Sequence, residues 1–470
     1  MSEDAARPLP AGQLLAVPTT GPPAAGPVTS VRAANRGRSA ADGTPEQIHL
    51  TWGNDPARSV VVSWTSPGRA EAPRVRIGQR VIPAAERGYA DGPGGEVAWT
   101  YHALVDGLRP GGTYGYAVTA NNDRSAADPF SATFRTAPAA RPAFRFTSFG
   151  DLATPNGRSA SASAQSAYAV GAVETFQPLF HLLNGDLADG DPATTAQPQV
   201  WRDFGNNIQA SAANRPWMPV PAHHAAEYLA RYSLPDNGLP EFTGRWYAFR
   251  IGTVAFICLS ADDIAAGGPQ TRWLERTLAA ARGDSSIDWV VVGFHHCALS
   301  SSAAGRASDL GIRREWLPLF DRYEVDLVLC GRDHGYQRSF PVRGFDSADT
   351  LWPRPVTTID SGVFDTSQGT VHLILGCGGG DADPGASPAV ARRDTGTGYG
   401  VAVFDVSPGT EAGGQTSITV RYYHAVDADP DRGTPTDDYS LFETFTLVRP
   451  RSDGRRWHPK EPPPPRRATA

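Results

Sequence analysis

The chain is short of lysine, cysteine and any dominant charge, and each shortage removes a class of explanation. Lys460 is the only lysine among 43 basic residues; a GC-rich coding sequence accounts for that bias without a special need for guanidinium. The 43 basic residues face 49 acidic ones, and a net charge of −6 speaks against a nucleic-acid or polyanion binder. Four cysteines (Cys258, Cys297, Cys330 and Cys377) show no paired spacing. Neither a disulfide framework nor a zinc knuckle is therefore expected; buried free thiols are. No apolar run reaches the length needed to cross a membrane. Residues 1–20 have no basic n-region, and Leu14-Leu15-Ala16-Val17 is too brief for the core of a signal peptide. As written, the chain is expected to stay in the cytosol.

With 470 residues the chain has room for two or three domains and a large core. Residues 1–44 are rich in Pro, Ala, Gly and Ser without periodicity, which predicts a disordered lead. Residues 45–137 alternate in short strands separated by turn residues, such as Ile48-His49-Leu50-Thr51-Trp52 and Ser59-Val60-Val61-Val62-Ser63-Trp64. That pattern predicts an all-β sandwich. Across residues 138–450 strands alternate with helix-like spacing over 159–175, 270–282 and 311–323, which predicts an α/β domain. Residues 451–470, with their prolines and Arg466-Arg467, read as a disordered tail.

Three distant segments within the α/β region each put a metal-type side chain just after an apolar run and a glycine. They are Phe146-Thr147-Ser148-Phe149-Gly150-Asp151, Phe180-His181-Leu182-Leu183-Asn184-Gly185-Asp186, and Leu327-Val328-Leu329-Cys330-Gly331-Arg332-Asp333-His334. Buried strands whose carboxyl ends carry Asp, Asp and His predict a metal site at the edge of a central sheet. Between them lie Pro221-Ala222-His223-His224 and Phe294-His295-His296. His181 and His372 sit inside apolar strands and read as satisfied core histidines, while Asp262 and Asp263 read as turn or cap residues. His296 should face away from His295, although a one-residue slip would exchange their roles.

The order Asp, Asp, His-His, His, His on such a frame resembles the metallophosphoesterases. The flanking sequence is similar to their purple acid phosphatase branch, and Trp201–Asn207 with Pro216–Pro221 resembles its actinobacterial members. The run Leu108-Arg109-Pro110-Gly111-Gly112-Thr113-Tyr114-Gly115-Tyr116 resembles the turn and tyrosine region of fibronectin type III domains, and a sandwich of that kind precedes the catalytic domain in many of these phosphatases. The resemblance implies a fibronectin type III-like sandwich followed by a two-sheet α/β metallophosphoesterase sandwich. It further implies one or two ions drawn from Fe, Zn, Mn or Mg, and attack of metal-bound hydroxide on a phosphate ester. The first ion would take Asp151, a bridging Asp186 and His334; the second would take Asp186, His223 and His295. His224 matches the histidine beside the leaving group, a general acid. Phosphate esters are the implied partner, with no nucleic acid or membrane, and relatives of this type are often secreted.

The sequence departs from the family pattern at several of these positions. Asp189 stands where the family has the tyrosine that binds ferric iron, so the charge-transfer colour should be absent. Asp189 either ligates, favouring hard cations such as Mn²⁺ or Mg²⁺, or caps the following turn. His223 replaces an amide ligand, and Ala222 and Ala225 replace the glycine and acid around it. Arg332 replaces a histidine ligand, and a guanidinium cannot ligate a cation. Two readings stay open: Arg332 stabilises phosphoryl charge beside a single ion, or the chain is a catalytically degenerate homologue that binds phosphate groups or a partner.

Overall fold

A computed structural model describes residues 43–90, 97–122, 129–152, 169–188, 198–221, 225–261, 264–300, 310–346, 351–376, 389–394, 400–425, 439–454 and 456–461. The amino-terminal part is a sandwich of two antiparallel four-stranded sheets. One runs in the order Glu46–Trp52, Val60–Ser66, Val97–Val105 and Ala85–Ala90; the other runs Arg80–Pro83, Arg74–Ile77, Thr113–Thr119 and Phe130–Arg135. Trp52, Trp64, Tyr101 and Val118 fill the space between them. The turn predicted from the tyrosine region is made as that resemblance implies: the Tyr114 hydroxyl accepts a hydrogen bond from the Arg109 amide at 2.7 Å.

The larger part packs a seven-stranded sheet against a six-stranded one. The first is ordered Trp217–Pro219, Phe180–Leu183, Phe144–Phe149, Gly400–Ser407, Gln415–Ala425, Tyr439–Pro450 and Val363–Asp365. The second is ordered Tyr247–Ile251, Val254–Cys258, Trp289–Gly293, Leu327–Ser339 and Val371–Gly376, with Val390–Asp394 paired to Leu327–Ser339. The central strands are wholly buried, which is why their sequences are unbroken apolar runs rather than alternating ones. Between the sheets Phe146 stacks on Phe404 at 4.3 Å and meets Phe256 edge-on at 5.2 Å, and Phe180 meets Phe256 edge-on at 5.1 Å. This aromatic cluster fixes the spacing of the two sheets beneath the strand ends.

Helix Pro269–Gly283 covers the six-stranded sheet through Trp273, Leu274, Leu278 and Ala281. Proline at its first position starts it, and the Gln270 side chain bonds both the amide and the carbonyl of Ser260 at 2.8 Å. The single helix expected over 311–323 is two, Leu310–Glu315 and Leu317–Arg322, because Pro318 cannot donate to the preceding turn. Within residues 456–461, part of the tail expected to be disordered, two side chains make contacts with the domain: Trp457 stacks on Tyr323 and Lys460 Nζ pairs with Glu324 at 2.6 Å. These two side chains anchor residues 456–461.

The end of the six-stranded sheet that Lys460 covers holds a buried charge cluster. Asp326 pairs with Arg282 at 2.5 Å and with Arg449, and Arg449 also reaches Glu324 at 3.3 Å. The cluster lies at the start of the Leu327–Ser339 strand, opposite the strand ends that carry the candidate ligands.

Candidate metal centre

The carboxyl ends of parallel strands from both sheets meet at one place. Phe144–Phe149 and Phe180–Leu183 run side by side and deliver Gly150-Asp151 and Asn184-Gly185-Asp186. From the other sheet, Trp289–Gly293 and the first part of Leu327–Ser339 deliver Phe294-His295 and Gly331-Arg332. A cross-sheet hydrogen bond, Gly150 N–H to Leu375 O at 2.6 Å, and one within the second sheet, Gly331 N–H to His295 O at 3.1 Å, then tie the loops together.

The Leu327–Ser339 strand does something its sequence does not announce. Residues 327–330 pair in parallel with 371–374, and after a turn residues 336–338 run back along 375–373. The strand Val371–Gly376 is therefore embraced on both edges, and the Gly331-Arg332-Asp333-His334 turn wraps its end. Arg332 takes up φ 64° and Asp151 φ 53°. Left-handed backbone at two non-glycine residues of one site is a recurrent mark of a functional constraint.

Asp151, Asp186 and His295 each present a ligand atom, and these atoms lie within 4.8 Å of one another. His295 Nε2 is 3.4 Å from Asp186 Oδ2 and 3.9 Å from Asp151 Oδ1. His295 Nδ1 donates to the Asn184 carbonyl at 3.0 Å, which fixes the ring and leaves Nε2 as the metal-facing nitrogen. Asp151 Oδ2 accepts the Arg332 amide at 2.8 Å. Burial pulls the His295 pKa down, but the charges of Asp151 and Asp186 outweigh it and raise it to about 9. Two carboxylates and an imidazole nitrogen, closely packed, form a donor set suited to a cation. The Asp186 side chain is 30 % exposed whereas those of Asp151 and His295 are 5 % and 2 %, so the site opens on the Asp186 side.

Glycine is demanded at 331 by close approach. A Cβ there would sit 2.7 Å from both Asn184 O and Asp151 Oδ2, and 3.0 Å from His295 Nδ1. This packing is invisible in the sequence, as is the role of the Asn184 carbonyl; the repeated strand-glycine-ligand pattern was the only signal available.

These features match a known family. The model for "Purple acid Phosphatase, N-terminal domain" covers residues 45–137. An uncharacterised protein of Mycobacterium tuberculosis is 37 % identical, spanning 88 % of this chain and 89 % of its own length. The Fe(3+)-Zn(2+) purple acid phosphatase 12 of Arabidopsis thaliana is 23 % identical over 63 % of this chain and 65 % of that protein. The solved purple acid phosphatase PPD1 from yellow lupin seeds superposes with a TM-score of 0.65, covering 86 % of this chain and 74 % of that one at 17 % identity. The chain belongs to the purple acid phosphatase-like family. Its two-part layout, sandwich then two-sheet core, is that of this purple acid phosphatase-like fold.

Within this purple acid phosphatase-like frame the structure brings Asp151, Asp186 and His295 together. It places the backbone of His334 beside Gly376, at the turn that wraps the site; the His334 side chain lies outside the described residues, as do Asp189, His223 and His224. Arg332 contributes its amide to Asp151. Asp262, Asp263 and Cys377 also fall outside the described residues, while Cys258, Cys297 and Cys330 are buried free thiols. His181 is a core residue packed against Phe149 and Trp217, and it is half satisfied: Nδ1 bonds Thr147 Oγ1 while Nε2 has no hydrogen-bond partner. His372 is buried too, but it is not satisfied: neither ring nitrogen has a hydrogen-bond partner. Helix Pro198–Ala212 packs on the sandwich, where Gln209 Oε1 accepts from Ile48 N and Arg202 pairs with Glu46.

Proposed function

We propose that this protein hydrolyses phosphate esters at a metal centre built on Asp151, Asp186 and His295. The observation that carries the reading is the convergence of these three ligand atoms within 4.8 Å from three distant segments of the chain. The relationship to purple acid phosphatases supplies the reaction class. By motif position His334, His223 and Asp189 complete the donor set, and His224 is the group that gives a proton to the leaving oxygen. Ions bound there would lower the pKa of a water and neutralise charge on the phosphoryl oxygens. The chain's own contribution is orientation: the Asn184 carbonyl holds the His295 ring, and the Arg332 amide holds Asp151. The test is hydrolysis of p-nitrophenyl phosphate by metal-stripped protein titrated with Mn²⁺, Zn²⁺, Fe²⁺ and Mg²⁺. Saturable, metal-dependent turnover that is lost in Asp186→Asn is expected; folded protein that turns over with none of these ions overturns the proposal.

A second reading, a homologue that binds phosphate without hydrolysing it, is favoured by Arg332 in place of a ligand. An arginine in that turn suits a phosphate oxygen better than a cation. Calorimetry with inorganic phosphate separates the two: phosphate binding without p-nitrophenyl phosphate turnover supports the second, and turnover that disappears in Arg332→Ala sinks it.

A further inference from the structure

The turn that carries Arg332 is gripped by the segment that follows strand Trp289–Gly293. Gly331 N–H donates to His295 O at 3.1 Å, and the Cys297 thiol donates to Gly331 O at 3.0 Å. Both polar backbone groups of Gly331 are therefore engaged by one short segment, which also bears a candidate ligand. The Gly331 carbonyl and the Arg332 amide belong to the same peptide unit, and that amide donates to Asp151 Oδ2 at 2.8 Å. A planar peptide turns as one body. The sulfur at one end and the carboxylate at the other thus fix a single plane.

That orientation has a cost at Arg332. Its φ of 64° lies in the left-handed region, which disfavours any residue with a Cβ and which glycine occupies freely. Turning the peptide over would return Arg332 to negative φ. It would also aim the Gly331 carbonyl toward Asp151, which would lose its donor, while the thiol would lose its acceptor. Cys297 is 1 % exposed and free, and a thiol so buried keeps its proton and remains a donor. Its sulfur lies within reach of the Cys330 side chain and the Asp333 backbone, which places it against the turn on more than one side.

We infer that Cys297 is a positioning residue of the metal centre: its thiol holds the Gly331–Arg332 peptide in the orientation that presents the Arg332 amide to Asp151. Cys297 acts through that peptide and is not one of the converging ligand groups. The inference rests on the metal-centre reading above and adds a residue that neither the motif positions nor the ligand cluster includes.

The experiment uses full-length, metal-stripped protein and three readouts: a Mn²⁺ binding isotherm, hydrogen exchange at the Arg332 amide without metal, and a urea denaturation curve. Mn²⁺ is the probe because a hard cation has little affinity for thiols. Cys297→Val removes the donor at similar volume. The expected result is a folded protein whose Mn²⁺ affinity falls about 10- to 100-fold, the range in which supporting partners of ligands act. Its Arg332 amide exchanges faster, and Cys297→Ser, which keeps a donor, recovers both quantities. In an Arg332→Gly background, where the left-handed backbone carries no penalty, the loss caused by Cys297→Val shrinks. A merely structural role would behave like Val254→Ala, a truncation buried at the opposite end of the same sheet. That variant should lower the urea midpoint and leave Mn²⁺ affinity at its wild-type value. Should Cys297→Val not fold, Cys297→Ala is read the same way. Wild-type Mn²⁺ affinity in the donor-loss variant overturns the inference, as does a Cys297→Ser protein that binds no better than Cys297→Val. If the wild type binds Mn²⁺ but does not hydrolyse p-nitrophenyl phosphate, the phosphatase proposal fails and the isotherms still decide this one. If the wild type binds no Mn²⁺, the metal-centre reading itself fails, and the amide exchange still decides whether the thiol holds the peptide.

Discussion

Adding one methyl group at residue 331 should damage the metal centre more than it damages the fold. The Cβ of Gly331→Ala would lie 2.7 Å from Asn184 O, 2.7 Å from Asp151 Oδ2 and 3.0 Å from His295 Nδ1. All three distances are below ordinary van der Waals contact. Two of the atoms belong to proposed ligands, and the third is the carbonyl that orients the His295 ring. None of them is the far end of a flexible chain, since Asp151 is held by the Arg332 amide and by its own backbone bond to Gly185. Overpacking of this kind costs about 1–3 kcal/mol. In a domain of this size each kcal/mol lowers Tm by roughly 2–4 °C. Ligands displaced by a few tenths of an ångström should in addition lose about 10- to 100-fold in metal affinity. The matched control is Gly115→Ala, whose added Cβ meets nothing within 4 Å and should leave both quantities at wild-type values. The assay is thermal unfolding of metal-free protein beside a Zn²⁺ or Mn²⁺ binding isotherm. A Gly331→Ala protein that matches the Gly115→Ala control in both would refute the reasoning.

Acid should destabilise the protein through histidines that are buried neutral. Burial lowers His49 to about 4 and His102 and His372 to about 3, from 6.5. The unfolded chain therefore binds protons first, and stability present above pH 6.5 is lost as pH falls toward 3–4, at about 1.4 kcal/mol per unit for each group. His372 makes no hydrogen bond, so His372→Leu should flatten that slope and raise Tm at pH 5, as a pH series of thermal melts would report; an unchanged slope would contradict the assignment. Asp326→Ala leaves Arg282 and Arg449 without their shared carboxylate. Such a break costs roughly 3–5 kcal/mol, to be read from urea denaturation, and because the cluster lies opposite the strand ends, the metal affinity of the variant that remains folded should not change.

Much of the frame was legible because burial on both faces of a strand writes an unbroken apolar run, and the runs at 144–149, 180–183, 289–293 and 327–330 are all of that kind. Asp151 and Asp186 were legible because each follows such a run and a glycine. His295 needed the third piece of information, that strands from two different sheets end at the same place. Residue type alone could not choose between His295 and His296; the register that turns His295 toward the Asn184 carbonyl does so. What stayed hidden were contacts made by backbone atoms. The Arg332 amide on Asp151, the Asn184 carbonyl on His295 and the demand for glycine at 331 depend on how close loops approach, and no side-chain pattern encodes that. The return of residues 336–338 along 375–373 was hidden for a related reason, since the turn carries Arg, Asp and His rather than the Asn-Gly or Asp-Gly pair of a tight hairpin. His372 shows the opposite failure: an apolar strand context predicted a satisfied histidine, and its two ring nitrogens are instead buried without a hydrogen-bond partner.

The most direct test of the central claim is crystallographic. Crystals of the metal-stripped protein soaked in Mn²⁺ should give an anomalous difference peak within ligand distance of Asp151, Asp186 and His295, and the same soak of Asp186→Asn should lose it. A wild-type crystal with no anomalous peak at those three side chains, or with its manganese elsewhere, would contradict the account.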